Sequence, residues 1–382
     1  MRILAVCPYS LDRPGGVQGQ VTGLARALRA RGNDVMVLAP GEGAVAKVTA
    51  PGAASRCWTA GTTEVVGRAV GVRANGSVAP VALSPAAAVR AVQWARVLRP
   101  DVVHLHEPLA PSTGYGLLLS RPAPLVGTYH RAGGSVAYCL LGPLARWAHG
   151  RLAIACAVSE SARTTTPGGG AGIDRVLFNG VDTEAFETAD PWPTQRPTIV
   201  FVGRHEERKG LGVLLEAFTG MQAVADLWVV GDGPARAALE RAYPESHRLH
   251  WLGRVSGAEL ARRLAGADIL CAPSLRGESY GVVLVEAMAA RCAVVASDLP
   301  GYREASDGHA VLVPPGSAEA LGRALSQAVA DAAAGTGACA PEALDRSSAS
   351  ARSRSMSRLA ALYEALYREA AESGSGAAHP VA

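Results

Sequence analysis

The stretch RILAVCPYSLDRPGGVQGQV, residues 2–21, opens on an unbroken apolar run, turns through Pro14, Gly15 and Gly16, and continues with apolar residues at helical spacing. A short apolar run bounded by turn residues is the pattern of a strand buried on both faces. Val17, Val21, Leu24 and Leu28 then share one face of a helix expected over 17–31. Strand, turn and helix in that order begin a crossover, the unit from which parallel sheets are built. Two adjacent glycines at the joint are expected where the backbone takes unusual dihedrals or where something approaches its N–H groups closely. Beside a helix N-terminus, that something is an anion.

The same alternation repeats along the chain. Strands are expected at 34–38, 101–105, 124–128 and 153–157. TADPWPTQRP, residues 188–197, contains three prolines and reads as an interdomain linker. A second series follows, with strands at 198–202, 226–230, 248–252, 268–271 and 293–296 and helices at 210–219, 234–242, 256–265 and 282–290. The expected fold is therefore α/β, with two doubly wound Rossmann-like domains over 1–187 and 198–350, a C-terminal helix over 351–372 and a disordered tail over 373–382. Ligands of such sheets sit at the carboxyl ends of the strands, so the cleft between the halves is the expected site.

Composition removes several classes of function. The apolar runs fall far short of the roughly 20 residues a membrane-spanning helix needs. The opening segment lacks the apolar length and cleavage site of a signal peptide. Seven cysteines, an odd number with no C-x-x-C pair, argue against a disulfide framework and point to the cytosol. A net charge of +4, with aromatic residues at only 5%, gives no basic and aromatic surface for nucleic acid.

Two stretches carry chemistry. In FVGRHEERKG, residues 201–210, Arg204 follows a strand and Lys209 stands at the mouth of the next helix. Fixed cations beside free N–H groups suit a diphosphate, whereas in an ordinary solvated loop Glu206 and Glu207 would pair with both. In GESYGVVLVEAMAA, residues 277–290, Glu278 lies in a glycine-flanked loop and Glu286 in an otherwise apolar helix. A carboxylate there is costly without partners, which sugar or ribose hydroxyls, or an Arg from elsewhere, would supply.

These motifs, together with CPYS-x3-PGGVQ (7–18), NGSVA (75–79), HLHEP (104–108) and NGVD (179–182), resemble the retaining glycosyltransferases of family four. These have the two-Rossmann-domain fold known as GT-B. The likeness covers about residues 1–315 and is strongest to the actinobacterial branch that mannosylates an inositol lipid. It implies a donor site of Gly15, Gly16, Arg204, Lys209, Val255, Glu278, Ser279, Gly281, Val282 and Glu286. In it Gly16 N–H meets the β-phosphate, Arg204 and Lys209 neutralise the leaving diphosphate, Glu278 holds sugar hydroxyls and Glu286 the ribose. It further implies an acceptor site of Tyr9, Gln18, Asn75, Ser77, His130 and Arg208, with His130 facing the transferred sugar. The catalytic set is then His130, Arg204, Lys209 and Glu278. No cofactor is implied, and His104 with His106 lacks the third ligand a metal would need. No D-x-D occurs to clamp a nucleotide through a metal.

Three departures from the inositol-lipid branch bear on substrate, and a fourth, at Arg291, has no physical account in the sequence. The helix after NGSVA offers only Arg90, Arg96 and Arg99, enough for at most a weak peripheral membrane contact. Pro80 stands where the branch has a basic residue, and Ala74 where it has an aromatic one. Ser256-Gly257 replaces acidic residues suited to a guanine edge, so a UDP-linked donor is as expected as a GDP-linked one. Arg291 occupies a glycine position. The resulting expectation is a cytoplasmic retaining hexosyltransferase acting on a soluble cyclitol or aminocyclitol, as in natural-product assembly. The alternatives are GDP-mannose-dependent mannosylation of the inositol lipid and, from another class, a non-catalytic nucleotide-sugar binding module.

Overall fold

The structure, a computed structural model, describes residues 1–13, 15–43, 45, 58, 63–74, 77–111, 113–133 and 140–375, with backbone alone at 73, 74, 77, 78, 374 and 375. It divides into two units, Met1–Gly180 joined by the segment from Met356, and Val181–Ser355.

In the first unit seven strands lie in the order β3-β2-β1-β6-β7-β8-β9. They are β1 (Arg2–Val6), β2 (Asp34–Gly41), β3 (Thr63–Arg68), β6 (Val102–His106), β7 (Leu125–Tyr129), β8 (Ile154–Ala157) and β9 (Arg175–Val176). Every neighbouring pair is parallel. An antiparallel hairpin, β4 (Val70–Ala74) and β5 (Ser77–Val81), is separate from this sheet. The unbroken apolar character of β1 has a direct cause. Ile3 and Ala5 enter one core with the helix Gly16–Ala30, while Leu4 and Val6 enter another with the helix Pro85–Leu98. A strand covered on both faces has no polar side to present.

The second unit is a six-stranded sheet in the order β12-β11-β10-β13-β14-β15. Its strands are β10 (Thr198–Val202), β11 (Asp226–Val230), β12 (Leu249–Gly253), β13 (Ile269–Ala272), β14 (Ala293–Ser297) and β15 (Ala310–Val313). All pairs are parallel. This is the 3-2-1-4-5-6 order of the dinucleotide-binding fold, with its reversal of direction between β10 and β13. The corresponding reversal in the first unit falls between β1 and β6.

Strands expected from the sequence stand within a residue of their positions at the N-terminal end, and β2 runs on to Gly41. β3, the hairpin, β9, β15 and the helices Gly114–Ser120, Gly142–His149, Glu160–Thr165, Thr183–Glu187, Pro300–Ser306, Ala318–Ala334 and Pro341–Arg352 were not expected. The division of the chain also differs from the expected one. The chain crosses between units at Gly180/Val181 and again at Ser355/Met356, and residues 188–197 belong to the second unit. Trp192 anchors them there. Its N–H donates to the Arg262 carbonyl at 2.9 Å, and the Arg263 guanidinium lies 3.6 Å from its ring centroid.

The expected helix over 351–372 is instead the end of Pro341–Arg352 and most of a separate helix, Met356–Ser375. The latter returns to the first unit and buries Met356, Leu359, Tyr363, Leu366 and Tyr367 against the core of Val21 and Leu24. Part of the tail expected to be disordered, 373–375, is the last turn of that helix; 376–382 lies outside the described residues.

Arg291 adopts φ +60°, the left-handed conformation that glycine takes without strain, and its guanidinium pairs with Asp345. Both side chains of that pair are about half exposed, which makes it worth little. The backbone penalty of about 1–2 kcal/mol for a side chain there outweighs it. Arg291→Gly is expected to stabilise the protein by about 0.5 kcal/mol, once the roughly 0.5–1 kcal/mol entropic cost of glycine is subtracted. Urea unfolding that instead shows a loss above about 1 kcal/mol would mean that the ion pair dominates.

Candidate active site

In the first unit the candidate residues gather where β1, β6 and β7 end. Gly15 is extended, with φ −169°, and caps the helix Gly16–Ala30 without a side-chain hydrogen bond. Neither Gly15 nor Gly16 is left-handed, so the conformational reason for the glycine pair does not apply. What remains is access: a Cβ on Gly16 would meet nothing within 4 Å, and the helix's first N–H groups have no intrahelical acceptor.

The loop after β1 is tied to the hairpin. Tyr9 bridges to Val81, and Ser10 N–H donates to the Pro80 carbonyl at 2.8 Å. Gln18 Nε2 donates to the Ser10 carbonyl at 3.3 Å. Asn75 lies outside the described residues, and Ser77 is described only by its backbone pairing with Ala74.

His104 and His106, two apart on β6, point to the same side, with ring centroids 4.0 Å apart. His104 is fully committed to structure: Nε2 meets Thr128 Oγ1 at 2.7 Å and Nδ1 meets Tyr367 OH at 2.8 Å. Burial, with a smaller contribution from His130, pushes its pKa down to about 3. His106 Nδ1 lies 2.9 Å from His130 Nε2. His130 is 7% exposed, and burial lowers its pKa to about 4. The buried Glu107, at φ +49°, accepts through Oε1 from the N–H groups of His130 and Arg131, which fixes the turn after β7.

In the second unit the loops after β10 and β13 close on one another. Gly210, at φ +69°, brings the short turn Glu207–Lys209 against Pro273, whose carbonyl oxygen would lie 1.9 Å from any Cβ on Gly210. Leu275 N–H donates to the Arg208 carbonyl at 2.7 Å. This contact gathers three cations and two carboxylates. Glu278 Oε1 accepts from Lys209 Nζ at 2.7 Å, Arg208 Nη1 at 3.2 Å and Ser274 Oγ at 3.1 Å. The buried Glu206 pairs with Arg204 at 2.9 Å and Arg208 at 3.0 Å. Ser274 is fixed in turn by Tyr302 OH at 2.8 Å.

Glu206 does pair with Arg204, as the solvated-loop alternative required, but Lys209 pairs with Glu278 of the second motif, and no ion pair among the described residues joins Glu207 to either cation. Yet Glu206 and Glu278 are largely buried, so the pairs orient the cations instead of merely solvating them. Arg208 lies beside Lys209 in this cluster. Glu206 was expected beside Arg204, whereas Ser274 and Tyr302 carried no separable signal in the sequence, because a serine and a tyrosine 28 positions apart meet only in the folded second unit.

Gly281, at φ +99°, begins the helix Val282–Ala289, and a Cβ there would strike the Tyr302 ring at 2.6 Å. Glu286, half-buried within that helix, has its pKa raised to about 7 by desolvation, and no ion pair among the described residues reaches it. Val255 is half-buried after β12 and Ser279 is half-buried in the loop before Gly281. Ser256 Oγ accepts from Glu259 N–H at 3.1 Å and caps the helix Gly257–Gly266, which accounts for serine at that position.

Two Rossmann-like units, one carrying a cation cluster at its sheet reversal and the other a histidine cluster at its own, define the architecture of a GT-B glycosyltransferase. Comparison with known proteins agrees. The model "Glycosyltransferase Family 4" matches residues 14–185 and "Glycosyl transferases group 1" matches residues 196–331. The chain is 40% identical over 328 residues to phosphatidyl-myo-inositol mannosyltransferase of Mycobacterium tuberculosis, covering 82% of this chain and 83% of that one. It is 33% identical over 311 residues to the protein of that name from Propionibacterium freudenreichii, covering 79% and 78%.

Among solved structures, Anabaena HepE with UDP and glucose superposes with a TM-score of 0.73 at 18% identity, covering 96% of this chain and all of that one. Sucrose-phosphate synthase of Thermosynechococcus elongatus gives 0.73 at 19%, covering 97% and 99%. The chain belongs to family 4 of the GT-B glycosyltransferases and is a transferase. No helix among the described residues is long and apolar enough to cross a membrane.

Proposed function

We propose that this protein transfers a hexosyl group from a nucleotide-diphosphate sugar to a hydroxyl of an inositol ring, and that the pair with most support is GDP-mannose and an inositol lipid. The observation that carries the reading is the cluster of Arg204, Arg208 and Lys209 around Glu206 and Glu278, in a chain about 40% identical to the mycobacterial phosphatidyl-myo-inositol mannosyltransferases. This reverses the order of substrates expected from sequence, where a soluble cyclitol came first.

In this mechanism Arg204 and Lys209 take the charge that develops on the departing diphosphate. Such preorganised electrostatic partners lower the barrier because they need no reorganisation as charge builds. Glu278, already oriented by three donors, accepts from sugar hydroxyls, and Gly16 N–H meets the β-phosphate. His130 faces the transferred sugar, while Tyr9, Gln18, Asn75, Ser77 and Arg208 line the acceptor. Val255, Ser279, Gly281 and Val282 line the donor. The acceptor hydroxyl attacks from the face the diphosphate leaves and gives its proton to that phosphate, with retention at the anomeric carbon.

A soluble cyclitol acceptor is the second reading. Pro80 favours it, because a proline cannot supply the cation a lipid phosphate calls for. Incubation with GDP-mannose or UDP-hexoses, and with either inositol-lipid vesicles or free myo-inositol and aminocyclitols, separates the two. Product on vesicles with GDP-mannose is expected; product on free cyclitol alone would replace the first reading with the second.

Glu286 adds a pH dependence. Its carboxyl is neutral below about pH 7 because burial disfavours the charge. Ribose hydroxyls donate best to the ionised form, so nucleotide binding draws the proton off. Affinity for the nucleoside diphosphate should rise severalfold from pH 6 to pH 8 by calorimetry. Glu286→Gln should flatten the part of this rise that the diphosphate's own titration does not explain.

A further inference from the structure

The contact between His106 and His130 permits only one arrangement of protons at reasonable cost. Their facing nitrogens are 2.9 Å apart, so one ring must donate to the other. His106 Nε2 is buried and has no hydrogen-bond partner among the described residues. Were His130 the donor, His106 would carry its own proton on Nε2, an N–H buried without an acceptor. Orphaned buried donors are rarer than under-satisfied acceptors. With His106 Nδ1–H donating instead, only a lone pair is left unmet. Burial keeps both rings neutral near pH 7, which leaves each a single proton to place.

The His106 ring has little freedom to leave this arrangement. It lies against His104, which Thr128 and Tyr367 hold through both of its nitrogens. The backbone of His130 is separately held by Glu107, and its ring has the Asn179 side chain as a second hydrogen-bond partner.

We propose that His106 is a positioning residue that fixes His130 as the Nδ1–H tautomer, so that His130 turns a hydrogen-bond donor, and not a lone pair, toward the sugar. The inference rests on the reading above in which His130 faces the transferred sugar. It adds that the donating atom is Nδ1 and that His106 decides this.

The test uses the full-length protein labelled with 15N at histidine, as wild type, His106→Asn and His106→Phe. Asparagine keeps a donor where Nδ1 stood; phenylalanine fills the space with none. Long-range 15N–1H correlation should show wild-type His130 as Nδ1–H, the same tautomer in His106→Asn, and conversion toward Nε2–H in His106→Phe. With saturating acceptor, His106→Phe should lower kcat at least tenfold with donor KM within about twofold, and His106→Asn should recover most of kcat. Nε2–H in the wild type, or an unchanged tautomer in His106→Phe, overturns the inference. So does a changed tautomer with unchanged kcat. Should His106→Phe not fold, His106→Ala takes its place as the variant without a donor, and an unchanged Nδ1–H tautomer there overturns the inference in the same way. A wild type with the expected tautomer but no hexosyl transfer would count against the functional reading alone.

Discussion

Lys209→Ala is expected to lower kcat on the order of 100-fold, about 3 kcal/mol in the barrier, the scale of losing one preorganised electrostatic partner of a developing charge. The geometry makes this a clean test. Lys209 Nζ shares Glu278 Oε1 with Arg208 and Ser274, so its removal leaves the carboxylate held by two other donors. Loss of rate then reports the missing cation and not a displaced glutamate. Donor KM should change far less than kcat, because the charge on the leaving group is greatest in the transition state. Steady-state kinetics at saturating donor and acceptor decide the matter: turnover within threefold of wild type would remove Lys209 from the proposed machinery.

Gly210→Ala is expected to lower folding stability by about 3 kcal/mol, from roughly 1–2 kcal/mol for a side chain at left-handed φ and a further 1–3 kcal/mol for overpacking. A Cβ would stand 1.9 Å from the Pro273 carbonyl oxygen, a backbone atom that cannot rotate away. Relief requires the loops after β10 and β13 to part, which is the contact that gathers Arg208, Lys209 and Glu278. The variant should therefore lose activity beyond its loss of stability.

Gly212 supplies the control. It lies two residues on, inside the helix Leu211–Gly220, where a Cβ would meet only Leu239 Cδ2 at 3.8 Å. Gly212→Ala is expected to stabilise by about 0.5–1 kcal/mol, since alanine gives up less chain entropy within a helix. Urea unfolding of the two variants side by side measures both signs; equal stabilities would discard the steric account of Gly210.

Much of the second unit was legible because its signals are local. Thr198–Val202 and Asp226–Val230 are apolar runs bounded by turn residues, and their bounds follow from the run itself. Lys209 and Glu278 stood out in the sequence as a cation at the mouth of a helix and a glycine-flanked acid. The glycine pair at 15–16 shows the limit of such reading. The sequence pointed to a bare helix N-terminus but could not separate access from strained backbone, and Gly15 proves to be extended. β15 was not anticipated, since Ala310–Val313 is only partly buried and too short to display a period.

The amino-acid order by itself determined two doubly wound sheets, the first helix, the crossover helices of the second unit up to residue 290 and the charged loop that follows β10, because apolar periodicity and turn chemistry act over a few neighbouring residues. Tertiary structure alone decided which unit owns the final helix and that Glu278 holds Lys209. Tyr367 reaches His104 across 263 positions of sequence, and Glu278 meets Lys209 across 69. No local pattern encodes such pairs. They exist because a parallel sheet sets strands distant in the chain side by side, and a buried polar group then takes whatever partner that adjacency delivers.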